Sequence, residues 1–205
     1  MSKPSLVLIG GGGHAQACID VIEQEGKFQI VGLVDRIEKF GSEQLGYRVI
    51  AADHSLLQLA RDHRHALVVI GQIKSPEQRI RLFEAARAAG FEFPSIISPH
   101  AYVSRHAEIG AGSIVMHGAI VNAAAEVGRN CIVNSRALIE HGATVQDHCH
   151  VATGATLNGD VCVGTGSFIG SGSTVKEGVS LGERCFVGMG LCVRHDHADG
   201  AFVIK

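Results

Sequence analysis

Two periodicities divide this chain. From Ile97 to Val193 an aliphatic residue recurs at every sixth position, through Val103, Ile109, Val115 and onward, seventeen times without a break. A six-residue period matches neither the 3.6-residue stripe of a helix nor the two-residue alternation of a strand, so it describes a larger unit, one flat face of a parallel β-helix. The residue four places after each anchor is usually small, as at Ala101, Ala107, Ser113, Ala119, Ala125 and Cys131, which lets the chain turn tightly at the corner of a triangular coil. Glycine follows the anchor at Gly110, Gly128, Gly164, Gly170, Gly182 and Gly188, where unusual backbone angles are expected. Three hexapeptides make one coil, giving about five and a half coils, each buried only against its neighbours.

Residues 1–95 follow another pattern. Ser5 to Ile9 is a short apolar run ending in glycines, Ala15 to Glu25 has helical spacing, and Gln29 to Val34 is a second apolar run ending at Asp35. This β-α-β unit is followed by a helix over Ser55 to Arg64, a buried strand at Ala66 to Ile70, and a helix from Pro76 to Ala89 closed by Gly90. Strands alternating with helices predict a small Rossmann-like α/β domain with a parallel sheet. Pro94 and Pro99 bracket the changeover, so the expected division is an α/β domain over residues 1–95 and a β-helix over 96–205.

Composition adds mainly exclusions. The 205 residues are 46% hydrophobic, ample for a core, and the net charge of -2 offers no basic excess for a phosphate backbone, so no nucleic acid is expected as partner. No run approaches the roughly 18–20 apolar residues of a membrane span, and the N-terminus reads as a strand without the basic region of a signal peptide. A cytoplasmic protein without membrane insertion is the expectation. Of the six cysteines, Cys131, Cys149 and Cys185 share one hexapeptide position on successive coils, in a ladder interrupted by Ser167. Neighbouring rungs stack about 4.8 Å apart, which leaves a Cys131–Cys149 bridge open on distance, while the cytoplasmic setting favours reduced core thiols.

Candidate chemistry lies in two stretches. Asn134 to Gly159 holds His141, His148 and His150, and a histidine near its unperturbed pKa of about 6.5 suits removal of a proton from an attacking amine or hydroxyl. Each histidine taken alone also fits a solvated corner. The other stretch is Gly10-Gly11-Gly12-Gly13-His14-Ala15, where glycines between strand and helix let backbone amides approach an anion. Gly10, Gly12 and Ala15 satisfy the G-x-G-x-x-A dinucleotide pattern, with Asp35 where a ribose-binding acid belongs, which taken alone suggests NAD. A domain of this size lacks the second half of a full dinucleotide fold. His195 and His197, with Asp196 and Asp199, read as an exposed polar loop.

The six-residue period, the small fourth residue and the glycine-rich corners resemble the hexapeptide-repeat acyltransferases. The resemblance implies a left-handed parallel β-helix and a homotrimer with active sites between subunits. It narrows to the bacterial sugar acetyltransferases that join a small nucleotide-binding domain to the β-helix, a group that includes sialic-acid O-acetyltransferases and nucleotide-linked amino-sugar N-acetyltransferases. It covers essentially the whole chain. Asn134, His141, His150 and Gly159 stand at the family's catalytic intervals. The resemblance implies His141 as general base, His150 at the acetyl end of acetyl-CoA, Asn134 shaping the sugar pocket, and the Gly159 backbone facing the thioester and pantetheine. It also implies a nucleotide pocket from Gly12, Gly13 and His14, from Asp35 and Arg36, and from Gly71 and Gln72. Arg36 suits a phosphate.

The chain departs from the family in two places. An acid usually follows the base histidine, and here Gly142 stands there, with Glu140 and Asp147 as nearby substitutes. Glu140 precedes the histidine and is expected to point to another side of the coil. The family's short Pro-Ala-Lys tail is not matched where this sequence stops, at Lys205.

The expected activity is acetyl transfer from acetyl-CoA to the amino group of a nucleotide-linked deoxyamino-sugar, for surface glycan or glycoprotein synthesis, with no metal and no protein nucleophile; Cys149 is expected inward as a core thiol. Alternatives are an O-acetyltransferase of a sialic-acid-like sugar, a β-helical carbonic-anhydrase-like enzyme with zinc on His141, His148 and His150, and a non-catalytic nucleotide-sugar-binding trimer.

Overall fold

The computed structural model describes residues 2–204. Two compact units are present: one runs up to Gly71 and resumes over Glu77–Ile96, and the other comprises Gln72–Pro76 and the chain from Ile97 onward.

In the first unit, β1 (Ser5–Ile9), β2 (Gln29–Asp35), β3 (Glu43–Gln44), β4 (Tyr47–Ala52) and β5 (His65–Val68) form one sheet in the order β3-β4-β2-β1-β5. All neighbours are parallel except the β3–β4 hairpin. Leu6, Val7, Leu8 and Ile9 are fully buried, as a central parallel strand covered on both faces requires. The helices are α1 (Gly13–Glu25), α2 (Leu56–Asp62) and α3 (Glu77–Ala88). Helix α1 closes on Gly26 at φ +68°, whose N–H donates to Ile22 O. Its inner face buries Cys18, and desolvation pushes that thiol up to about 12. The short run of β4 escaped the hydrophobic pattern because Arg48 interrupts it and two alanines end it.

The second unit is a left-handed parallel β-helix of two-residue strands in three faces. Face one runs from Ile96–Ile97 to Phe202–Val203, face two from Tyr102–Val103 to Cys192–Val193, and face three from Glu108–Ile109 to Ser180–Leu181. Strands pair in parallel with a constant step of 18 residues, as in Ile120↔Leu138 and Val121↔Ile139. The aliphatic anchors form the core: Val115, Val133, Val151, Ile169 and Val187 lie inside with no exposed surface.

The glycines that follow the anchors serve a different purpose from the one expected. Gly110, Gly128, Gly164 and Gly170 do not adopt positive φ. Coils approach too closely for a side chain there, since a Cβ on Gly110 would lie 2.5 Å from Gly128 C. The left-handed residue falls two places later in most corners, and it includes non-glycines such as Ala124, Arg136, His148 and Asp160.

Cys131, Cys149 and Cys185 point inward as unbridged thiols. Each polar side chain in their column accepts the backbone N–H of the residue one coil on: Ser113 Oγ from Cys131 at 2.8 Å, Cys131 Sγ from Cys149 at 3.4 Å, and Ser167 Oγ from Cys185 at 2.9 Å. Ser167 therefore continues the ladder.

Candidate active site

In the α/β unit, the chain runs outward from β1 to β2 and β4 on one side and then crosses back through α2 to β5 on the other side of β1. The crevice beyond the carboxyl ends of β1 and β5 is thus a topological switch point, where open α/β sheets bind ligands. The sequence places its glycines there for identifiable reasons. Gly10 has φ +116°, and a Cβ on it would strike the Ile70 side chain. Gly12 and Gly13, the N-cap and first residue of α1, have open space where a Cβ would stand, so their backbones are approachable by an anion. Gly71 lies across the crevice, its Cβ position 3.5 Å from His14 Cβ. Gly12, Gly13, His14 and Gly71 are therefore brought together.

Asp35 ends β2 beside this loop, partly buried. Its carboxylate accepts the Arg36 N–H at 2.8 Å and pairs with Lys39 Nζ at 3.0 Å. Burial alone would raise its pKa, but these donors and the Gly11 N–H hold it below the ordinary carboxylate value. Gln44 Nε2 donates to Gly11 O at 3.2 Å. Asp35 and Gln44 thus shape the glycine loop, a part for Gln44 and Lys39 that no sequence motif marks. The exposed Arg36 side chain remains available at the rim.

Gln72, expected at the nucleotide pocket, belongs to the β-helix unit. It is buried on the β-helix, where Nε2 donates to His148 O at 3.0 Å and to Gly166 O at 3.3 Å. The Nε2 end of the amide is thereby engaged by the coil. Its backbone carbonyl sits 2.6 Å from His150 Nδ1. A carbonyl only accepts, so His150 carries its proton on Nδ1, leaving Nε2 to accept from Asn134 Nδ2 at 3.0 Å. The Asn134 amide is oriented in turn by its Oδ1, which accepts the Ser135 N–H at 2.7 Å. Asn134 and His150 are one fixed pair.

His141 stands elsewhere. Asn134 lies at the corner between faces one and two, and His141 at the corner between faces two and three. The imidazole lies on Gly159 one coil below, where a Cβ would be 2.8 Å from Nδ1 and 3.3 Å from Nε2. His148 occupies the third corner, its Nδ1 at 2.9 Å from Asn130 Nδ2. The three histidines of one chain thus do not converge, and among the described residues no group of three metal-binding side chains does.

Neither nearby acid substitutes for the one missing at Gly142. Glu140 Oε2 accepts from Asn122 Nδ2 at 2.9 Å and from the His141 backbone N–H at 3.2 Å, not from the ring. Asp147 is on the third corner, held by Arg129 through Nη2 at 2.6 Å and Nε at 3.0 Å. Although burial opposes it, that guanidinium keeps Asp147 below the usual carboxylate value.

The fold and the glycine-lined corners define a hexapeptide-repeat acyltransferase. The family model of the PglD N-terminal domain matches residues 5–85, and that of the hexapeptide repeat of succinyl-transferase matches residues 160–194. No curated relative matches the chain. PerB from Caulobacter crescentus, solved in complex with CoA and GDP-perosamine, is 32% identical, with 97% of this chain and 92% of that chain covered and a TM-score of 0.89. The acetyltransferase domain of PglB from Neisseria gonorrhoeae FA1090, in complex with acetyl coenzyme A, is 29% identical over 97% of this chain and 95% of that one, with a TM-score of 0.88. WeeI from Acinetobacter baumannii AYE, 20% identical with a TM-score of 0.84, shares the fold. The chain belongs to the hexapeptide-repeat sugar acetyltransferase family, of which the perosamine N-acetyltransferase of Caulobacter crescentus is a member.

Proposed function

We propose that this protein transfers acetyl from acetyl-CoA to the amino group of a nucleotide-linked deoxyamino-sugar, in the cytoplasm, with His141 as general base. The observation that carries this reading is the placement of His141: exposed on a corner, seated on a glycine, and directed there by a backbone that leaves its ring uncovered by its own chain. PerB and PglB support the donor and the acceptor class, since they were crystallised with CoA and GDP-perosamine and with acetyl coenzyme A.

The amine nitrogen attacks the thioester carbon, forming the C–N bond while the carbonyl pair moves onto oxygen. His141 takes the proton from nitrogen. Collapse of the tetrahedral oxyanion breaks the C–S bond, and the departing thiolate receives the proton. Backbone donors, the Gly159 N–H among them, stabilise the oxyanion. No protein nucleophile is required, and burial raises the Cys149 thiol well above its ordinary pKa, which suits an inert core group.

The nucleotide belongs at the switch-point crevice, with Gly12, Gly13 and His14 around the phosphates, Gly71 opposite and Arg36 at the rim. The donor's extended chain suits the corner below Asn134, where Gly154, Gly172 and Gly190 stack at 18-residue steps with open space above each. That corner and the His141 corner flank opposite edges of face two, so a complete site takes one corner from each of two adjacent copies in a homotrimer. Tyr102, Ile120 and Leu138 stack in register along the outer side of face two, with Tyr102 and Ile120 exposed, a strip that a second copy would cover.

The test is a free-thiol assay of acetyl-CoA turnover against GDP-, UDP- and dTDP-linked amino sugars, with free sialic acids alongside. Turnover is expected with a nucleotide-linked amine, giving a product whose acetyl group survives mild alkali as an amide does. Loss of the acetyl group under alkali would mark an ester and the O-acetyltransferase reading.

A further inference from the structure

The strap Gln72–Pro76 belongs to the β-helix unit, although the chain on either side of it belongs to the α/β unit. Gln72, 2% exposed, anchors it. Its Nε2 meets His148 O at 3.0 Å, Gly166 O at 3.3 Å and Ser167 O at 3.4 Å. His148 and Gly166 stand one coil apart at equivalent left-handed corners, with φ +60° and +73°. The ladder between coils passes their carbonyls by, since Gly166 N–H donates to Asp147 O and Arg184 N–H to Thr165 O. A carbonyl in a buried corner needs a donor, and one amide serves both coils. Pro76 closes the strap against the same corner, where a Cβ on Gly166 would lie 3.2 Å from Pro76 Cγ.

The strap so anchored offers its Gln72 carbonyl to His150, and the hydrogen bonds that end there all run in one direction. Ser135 N–H donates to Asn134 Oδ1 at 2.7 Å, Asn134 Nδ2 to His150 Nε2 at 3.0 Å, and His150 Nδ1 to Gln72 O at 2.6 Å. An amide and an imidazole can each be reversed, but the ends of this relay cannot: a backbone N–H only donates and a carbonyl only accepts. Each bond polarises the next. A second proton on His150 would set Nε2–H against the Asn134 amide hydrogens, so the relay holds only with a neutral ring. Phe168 packs edge-on against that ring, 5.3 Å between centroids, and His150 is 6% exposed. The half-buried Asn134 is the member a ligand reaches, and the relay uses one of its two Nδ2 hydrogens.

We infer that Gln72 is a positioning residue of the acetyl-donor site: its carbonyl selects the Nδ1–H form of His150, and that ring turns Asn134 so that the second Nδ2 hydrogen meets the acyl oxygen of acetyl-CoA. This rests on the acetyl-transfer reading, with the acyl end of the donor at the Asn134–His150 pair. A donor so fixed gains strength as the acyl oxygen becomes an oxyanion. Without the strap carbonyl the ring would be free to carry its proton on Nε2. The Asn134 amide would then turn over, setting Nδ2 against the Ser135 N–H and away from the acyl oxygen.

NMR of wild-type protein with nitrogen-labelled histidine rings reads the relay directly. The His150 signal, identified by its loss in His150→Gln, is expected to show a protonated Nδ1 and a bare Nε2 at neutral pH. A proton on Nε2, alone or with Nδ1, would overturn the inference whatever the variants do. Gln72→Met keeps the length of the side chain and removes the amide. It is expected to lower kcat about tenfold to a hundredfold, to leave the KM of the nucleotide-linked amino sugar and the Kd of CoA within about twofold, and to spread the His150 proton over both nitrogens. Wild-type kcat in Gln72→Met, with His150→Gln impaired, would overturn the role of Gln72 and leave the donor site where it is. A raised KM for the sugar nucleotide with unchanged kcat would place Gln72 in the nucleotide pocket instead. A fall in kcat with the His150 proton unmoved would reduce Gln72 to a structural residue. Wild-type kcat in His150→Gln would overturn both the placement of the donor and the inference.

Discussion

Gly159 is buried because the His141 ring covers it, although its neighbour Asp160 is exposed. A methyl group there would displace the ring rather than the backbone, because the atoms it meets belong to a side chain that can swing outward. Gly159→Ala is therefore expected to cost little stability but about a hundredfold in kcat, as a misplacement near 1 Å does. Thermal unfolding together with steady-state kinetics checks this, and a variant with wild-type kcat would show that the ring does not need its seat on Gly159. The intervals among Asn134, His141, His150 and Gly159 were legible in the sequence. Their partners were not. Gln72 looks like a strand-end residue of the nucleotide domain until its amide is seen on the His148 and Gly166 carbonyls.

At the scale of elements, the coil was the most legible feature, because an aliphatic residue must face inward on every face and the sixfold period states this directly. The corners were less so. Their glycines obey two separate demands, close coil contact directly after the anchor and left-handed backbone two residues later, and both look like the same residue in sequence. The inward column is chemically quiet for a physical reason: a thiolate there would be an unsolvated anion. Burial raises the thiols of Cys149 and Cys185, and holds Cys18 at about 12. Only Cys162 and Cys192 are exposed. Titration with an aromatic disulfide reagent is therefore expected to count no more than two fast thiols in the native protein and all six after unfolding. Fast reaction of a third thiol would show that the core around one of the buried cysteines opens readily.

For the molecule as a whole, the separation of the site into two corners has a direct consequence. One chain carries the Asn134–His150 pair at one edge of face two and His141 at the other, so the proposed site needs a neighbouring copy. Light scattering is expected to give three times the 21.6 kDa chain mass, and a fully active monomer would contradict the shared site. The α/β unit was legible as a class from its alternating strands and helices, whereas the identity of the nucleotide base was not, because rim groups such as Arg36 lie outside the regular pattern. In the proposed reaction His141 removes the proton from a sugar amine attacking acetyl-CoA, which is tested by the turnover of wild type and His141→Asn on the same nucleotide-linked amino sugar, with folding and nucleotide binding verified for both. A loss of about a hundredfold or more in kcat with binding retained is expected; equal turnover in the two proteins would contradict it.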